Sequence, residues 1–232
     1  MGSARDRSRL YKDIFQSSVN EMDELLQALE TLNSDLRDDD IELNLNIIGG
    51  FSLFLQNLDI EVRPSHDIDS ITRLSEKVKE RIERIGQNQG IDLRWLNDDV
   101  LSLYDELDFA GIDLEEMSFT PSTSIDYSNI HLNVISIEDF LKLKLFSLFS
   151  EVFDFMQYNK GFEREQDLQD IKTIFEVSTV DYAALLYSIT SYVQDNKYRD
   201  LTESLIDTYI SGALANTQIN DFLRTNRSRY SS

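Results

Sequence analysis

Two aspartates separated by one residue, Asp67 and Asp69, are the residues of this chain best suited to chemistry. In an extended strand, successive side chains point to opposite faces. Both carboxylates would therefore project from one side, roughly 7 Å apart, while Ile68 enters the core. Two carboxylates on one face repel each other unless a cation lies between them. Because such hard oxygen ligands suit Mg²⁺ or Mn²⁺, this acid pair predicts a divalent metal site.

A glycine pair, Gly49 and Gly50, precedes the acid pair and follows the apolar run LNLNII. The run predicts a strand, and FSLFLQNL, directly after the glycines, predicts a short helix. Glycine lets the backbone approach a ligand closely, and N–H groups at the start of a helix bind phosphate. A metal site beside a phosphate site favours phosphoryl or nucleotidyl transfer. Either feature alone is also typical of a tight turn beside a surface strand.

The elements that must position these groups can be predicted from hydrophobic periodicity. Apolar spacings of three and four residues predict helices at 8–36, 51–58, 73–86 (ended by Gly86), 100–107, 137–158, 164–177, 179–195, 198–213 and 216–225. Alternation predicts strands at 43–48, 66–72, 91–96 and 130–136, with strand-like and turn-like pieces at 117–125. We therefore predict an α+β protein, with a mixed sheet and flanking helices in residues 1–136 and a helical domain in residues 137–232.

Composition narrows the function classes. The net charge of −21 disfavours broad, non-specific binding to nucleic acid, because phosphates are repelled. Lys77, Lys79, Arg81 and Arg84 form either a local basic patch or the alternating charges of a surface helix, and the second interpretation is favoured. The chain has no cysteine, which excludes disulfides and thiolate metal sites. It also has no long apolar run and no signal-peptide core, so we expect a cytoplasmic protein outside membranes.

The order and spacing of these residues resemble the polymerase-beta-type nucleotidyltransferase superfamily, in particular its stand-alone bacterial members related to abortive-infection toxins. Those proteins carry a Gly-Gly or Gly-Ser turn and then an Arg-x-Thr/Ser-x-Asp-x-Asp strand, matched here by Gly49, Gly50, Arg63, Ser65, Asp67 and Asp69. Their later Asp-Leu-x-x-Lys-Leu-like helix is matched by EDFLKLKL, with Lys144 or Lys142 as the lysine. Their Arg-x-x-Asp-x-x-Asp-Ile segment is matched by Arg164, Asp167, Asp170 and Ile171, and WLNDDV is similar to a Trp-Leu-Asn segment of some members.

The resemblance, which covers about residues 45–175, implies a Mg²⁺- or Mn²⁺-dependent nucleotidyltransferase. By it, Asp67 and Asp69 would hold the metal, and Gly49 and Gly50 would border the triphosphate of an NTP. Lys144 would reach a phosphate or the base, and Asp170 would lie near the acceptor. The remaining nucleotide-binding candidates are Ser52, Arg63 and Ser65.

Two positions depart from the family pattern. Gly50 stands where a serine is often found, and Ser52 is the candidate to replace that serine. Many members also use a third acid from a neighbouring strand, for which Asp92 in IDLRWL is the candidate catalytic residue. The strand at 130–136 offers only His131 and Asn133.

Several alternatives stay open at this level. The acceptor could be tRNA, a protein or a small molecule, and a toxin with a cognate antitoxin is one form of the hypothesis, although the acidity counts against tRNA. The alternative function is a non-catalytic nucleotide-binding or interaction module. Lys144 could equally extend from an apolar helix face towards water, and Arg164 with Asp167 could be a surface pair. His66 is either a ligand beside the acids or an exposed turn residue.

Overall fold

The computed structural model describes residues 22–56, 65–102, 121–158, 160–190 and 196–230. Within these ranges the protein combines helices with a five-stranded mixed sheet, which confirms the α+β class. The described residues up to 101, with 121–137, form one compact unit, and those from 138 onward belong to a second. None of the helices described is both long and apolar enough to cross a membrane.

The first unit is built on the sheet. Its strands are β1 (Leu43–Ile48), β2 (Ile68–Ser70), β3 (Leu96–Asn97), β4 (Pro121–Asp126) and β5 (Ile130–Ile135). They lie in the order β3-β2-β1-β5-β4. β1 pairs antiparallel with β2 and parallel with β5, β2 runs parallel to β3, and β4 and β5 are antiparallel. Strand β2, which carries Asp69, thus lies between the strand before the glycines and the short strand β3.

Three helices accompany the sheet: α1 over residues 22–38, α2 (Gly49–Leu55) and α3 (Glu76–Gln89). The strands alternate buried and more exposed side chains, as Leu45 and Asn46 do. Most of the buried apolar strand residues share one hydrophobic cluster with Leu29 of α1, Ile82 of α3 and the fully buried Trp95. The indole N–H of Trp95 donates to Ile82 O at 2.9 Å. This core fixes β2 and β3 side by side.

The cations of α3 are paired with acids and do not form a free basic patch. Lys77 Nζ lies 2.8 Å from Asp39, and Arg81 contacts the same carboxylate. Arg84 pairs with Asp35 of α1, and Lys79 Nζ lies 3.1 Å from Asp98 Oδ1. The structure therefore favours the interpretation of α3 as a charged surface helix, with acids supplied by α1, by the turn after it and by Asp98.

Several predicted boundaries are wrong by a few residues. Helix α3 does not end at Gly86 but runs to Gln89 and is capped by Gly90, which adopts the left-handed conformation with φ +73° that ends helices. Gly86 instead lies inside the helix, where an added Cβ would come within 2.5 Å of Asp92 O. Strand β3 begins at Leu96 and not at 91, and β2 spans only three residues. Helix α2 begins at Gly49, so both glycines belong to its first turn.

The second unit is helical, as its periodicity predicts. Its helices are α4 (Ile137–Tyr158), α5 (Glu165–Val177), α6 (Tyr182–Thr190), α7 (Asn196–Ile210) and α8 (Ile219–Tyr230), the last preceded by a 3₁₀ turn at Asn216–Gln218. Helix α4 is buried along much of its length because Leu and Phe occupy most of its turns. The predicted segments at 103–107 and 117–120, and residues 191–195 of the predicted helix 179–195, lie outside the described residues.

Candidate functional site

Asp69 lies directly against Gly49. The antiparallel pairing of β1 with β2 sets Asp69 opposite Ile48, so its carboxylate reaches the first residue of α2. Gly49 has a φ of +70°, and a Cβ placed on it would lie 2.3 Å from Asp69 Oδ2. Both the backbone conformation and the lack of space require glycine at this position. The glycine and the second acid of the pair are therefore one structural feature.

Asp67 precedes β2 and is held by neutral donors. The hydroxyl of Ser65 donates to the backbone oxygen of Asp67 at 2.8 Å and lies 3.4 Å from its Oδ1. The side-chain amide of Asn97 donates to Asp67 Oδ2 at 3.3 Å. Asp67 and Asp69 are both half-buried, whereas Ile68 between them is fully buried. The predicted alternation is confirmed, and the described partners of Asp67 leave its negative charge uncompensated.

This donor set fits a hard divalent cation. Two half-buried carboxylates flank the buried Ile68 at the start of β2, and the carboxylate of Asp69 occupies the space that a side chain on Gly49 would need. Within the described ranges, no three acidic or histidine side chains lie close enough to hold a metal ion. A Mg²⁺ ion commonly takes one or two protein carboxylates and completes its shell with water and substrate phosphates. The acid pair suits that kind of shared site.

Asp92 does not lie on a strand, so its predicted place in a strand over residues 91–96 is wrong. It occupies an exposed turn before β3, where its Oδ1 accepts a hydrogen bond from Arg94 N at 2.7 Å. Its backbone oxygen accepts from Trp95 N at 3.3 Å. The periodicity of IDLRWL misled because Leu93 is half-exposed and only Trp95 and Leu96 enter the core. Asp92 shapes the turn that leads into β3.

Asn97 is the residue that sequence analysis missed. It is the register partner of Asp69 in the parallel β2–β3 pairing, and it is 6% exposed. The available signal was its place in WLN, a polar residue after two large apolar ones. Asn97 also borders a cleft of about 150 Å³ between α3 and the end of β3, where Lys79 meets Asp98. Burial acts to raise the pKa of Asp98, but Leu74 N–H and Lys79 outweigh it and lower that pKa.

The two serine candidates, Ser52 and Ser65, donate hydrogen bonds to backbone oxygens in this structure. Ser52 is fully buried, and its hydroxyl donates to Gly49 O at 2.7 Å, inside the first turn of α2. It therefore stabilises the glycine turn and does not take the place of a serine at Gly50, which is half-buried beside it. Ser65 is bonded to Asp67, as above. His66 is exposed, and Arg63 lies outside the described residues.

In the second unit, Lys144 joins α4 to α5. Its Nζ lies 2.6 Å from Asp167 Oδ1 and 3.0 Å from Asp170 Oδ2. Arg164 approaches Asp167 Oδ2 at 3.5 Å. These four residues are called the lysine cluster below. Burial by itself lowers the pKa of Lys144, but the two carboxylates outweigh burial and raise that pKa, so the ammonium stays charged at neutral pH.

Lys142, the other lysine of the motif, is bound differently. Its Nζ lies 3.0 Å from Asp139 and 3.4 Å from Glu138, both in the first turn of its own helix. Lys144 alone of the two reaches across to the segment that resembles Arg-x-x-Asp-x-x-Asp-Ile. The structure thus brings Lys144, Arg164, Asp167 and Asp170 together.

His131 and Asn133 belong to the ladder of β1, β5 and β4. His131 Nδ1 lies 2.8 Å from Asp126 Oδ1. The amide of Asn133 donates to Asn46 Oδ1 at 3.3 Å. Both are explained by cross-strand pairing.

Comparisons of the chain with known proteins return no matching family model, no matching curated protein and no matching solved structure.

Proposed function

We propose that this protein is a divalent-metal-dependent nucleotidyltransferase that moves a nucleoside monophosphate from an NTP to an acceptor hydroxyl. The observation that carries the proposal is the contact between Asp69 and Gly49, which sets the acid pair beside the glycine turn. In the reaction, the acceptor oxygen forms a bond to the α-phosphorus and the bond from that phosphorus to the β-bridging oxygen breaks. Pyrophosphate leaves, and the acceptor proton passes to solvent.

The roles of the residues follow from their surroundings. Asp67 and Asp69 would hold Mg²⁺ or Mn²⁺, which would neutralise triphosphate charge and favour ionisation of the acceptor. Gly49 lets the carboxylate of Asp69 lie against the first turn of α2, since any side chain there would meet Asp69. Ser65 and Asn97 hold Asp67 in place without cancelling its charge.

The test is incubation of the purified protein with each α-labelled NTP, Mg²⁺ and mixtures of tRNA, proteins and small alcohols. We expect label transfer and pyrophosphate release by the wild type and neither by Asp69→Ala. Asp38→Asn, which removes a negative charge from an exposed position of α1, is the matched control and should stay active. Wild type that neither transfers label nor binds any NTP would remove the proposal.

A second candidate is a nucleotide-binding module that lacks catalysis. The observation that favours it is the amide of Asn97 in register with Asp69, where a third carboxylate would complete a stronger metal site. Calorimetry separates the two candidates, because tight NTP binding without pyrophosphate release identifies the module.

A further inference from the structure

Asn97 neighbours both members of the acid pair, one through its backbone and the other through its side chain. Its backbone lies beside Asp69 in the β2–β3 register, and its side-chain amide donates to Asp67 Oδ2 at 3.3 Å. It is nearly inaccessible to solvent, with 6% of its surface exposed. A buried amide that bonds to a carboxylate restricts the rotamers of that carboxylate.

The orientation of this amide is itself fixed. Its Oδ1 accepts a hydrogen bond from Asp99 N at 3.1 Å, which turns Nδ2 towards Asp67. Nδ2 also lies 3.5 Å from Arg94 O. An aspartate at this position could still accept from Asp99 N, but its other oxygen would face Asp67 with no proton to donate. The choice between amide and carboxylate at position 97 therefore decides whether the carboxylate of Asp67 faces a hydrogen-bond donor or another negative charge.

We propose that Asn97 is a positioning residue of the acid pair, which holds the Asp67 carboxylate and limits the site to two negative charges. The inference rests on the proposed function, since it concerns the same cation site. The charge count of a site sets its affinity for a hard cation, and partners that hydrogen-bond a ligating carboxylate fix its orientation.

This role predicts opposite effects for two substitutions at one position. Asn97→Ala removes the hydrogen bond to Asp67 and should weaken Mn²⁺ binding about tenfold, the lower end of what loss of such a partner costs. Asn97→Asp adds a third carboxylate beside the pair and should tighten Mn²⁺ binding about tenfold. A purely structural role for Asn97 predicts that both substitutions weaken binding.

The experiment measures Mn²⁺ binding to the full chain by calorimetry and by the loss of free Mn²⁺ signal in electron paramagnetic resonance. Asn44→Asp adds the same charge at an exposed position of β1 and should leave the Mn²⁺ affinity within about twofold of wild type, because screened surface charges interact weakly. Asp67→Ala is the control that removes a ligand. Asn97→Ser, whose side chain cannot reach Asp67, replaces Asn97→Ala if the alanine variant does not fold.

Thermal unfolding supplies a second readout. In EDTA, Asn97→Asp should have a lower Tm than wild type, since its new carboxylate faces Asp67. Mn²⁺ should raise its Tm by more than it raises that of wild type, because stabilisation by a bound ligand increases with the affinity for that ligand. A variant that folds only when Mn²⁺ is present supports the same conclusion.

The outcomes separate this inference from the proposed function. If wild type binds Mn²⁺ through Asp67, but Asn97→Asp and Asn97→Ala both bind more weakly or both bind unchanged, the role of Asn97 is wrong and the metal site stands. If wild type and Asn97→Asp both fail to bind Mn²⁺ at millimolar concentration, the metal site itself is wrong. Binding by Asn97→Asp alone would support the role of Asn97 and count against a metal-dependent wild type.

Discussion

Two pairs of aspartates in this protein, Asp67 with Asp69 and Asp167 with Asp170, have opposite surroundings. The first lies at a short strand, where Asp67 accepts hydrogen bonds from a neutral amide and a neutral hydroxyl. The second lies on a helix, where Lys144 bonds to both carboxylates. Neutral donors hold a carboxylate in place but leave its charge available, whereas an ammonium cancels the charge. The same residue type thus has neutral hydrogen-bond partners at Asp67 and an ammonium partner at Asp167 and Asp170.

The largest effect should come from removing charge at the acid pair. Asp69→Asn should lower nucleotidyl transfer by about 10³-fold or more. The metal ion that would neutralise the negative charge of the transition state would lose one of its two carboxylate ligands. The free energy of unfolding should stay within about 0.5 kcal/mol of wild type, since the residue is half-buried and has a like charge nearby. Pyrophosphate release and urea unfolding measure the two quantities. A large loss of stability would contradict the view that this pair serves binding.

At the lysine cluster the same logic predicts a loss of stability. Lys144→Met leaves two carboxylates without their ammonium, one of them on the buried residue Asp167, and should cost on the order of 3 kcal/mol of unfolding free energy. Urea unfolding measures it.

Lys142→Met is the matched control for this substitution. Lys142 is as exposed as Lys144 and also pairs with two acids, but those acids lie in the first turn of its own helix, where the helix dipole favours negative charge. Asp139 is as buried as Asp167, so the helix dipole is the main difference between the two sites, and we expect a smaller loss of about 2 kcal/mol for Lys142→Met. Equal losses for both lysines would contradict a special role for the bond between α4 and α5.

Gly49→Ala tests the space around Asp69. The left-handed φ costs about 1–2 kcal/mol for alanine, and the new Cβ would also displace the Asp69 carboxylate that lies 2.3 Å away. Gly90→Ala is a close control, because Gly90 has a φ of +73° and no atom within 4 Å of an added Cβ. We expect similar backbone costs in thermal unfolding, with Mn²⁺ and NTP binding lost only in Gly49→Ala. Normal binding by Gly49→Ala would separate the glycine from the site.

The smallest effect concerns pH. Because the pKa of Lys144 in the folded protein is raised above its ordinary value of 10.5, its ion pair contributes full stability below pH 10.5. That contribution is lost as pH rises through the higher pKa of the folded state. The difference in unfolding free energy between wild type and Lys144→Met should therefore be constant from pH 7 to about 9 and shrink above about 10.5. A difference that grows in this alkaline range would exclude the ion pair as its cause.

The sequence by itself determined the fold class, the helical second half and the face on which the acids project. Periodicity reports which side chains are buried, and burial of Ile68 between Asp67 and Asp69 follows from that alone. The ends of helices and strands could be predicted less well. For α3, Gly86 and Gly90 are equally plausible helix ends until the packing of Gly86 against Asp92 is known.

Only the tertiary structure decided which polar groups meet. Asn97 reaches Asp67 because β3 pairs with β2, and Lys144 reaches Asp167 because α5 packs against α4, across separations of 30 and 23 residues. Asp92 lies outside the predicted strand because the chain turns there and enters the sheet four residues later, at Leu96. Local spacing fixes the direction of a side chain within its own element. The partner it finds depends on the register between elements, which the core sets.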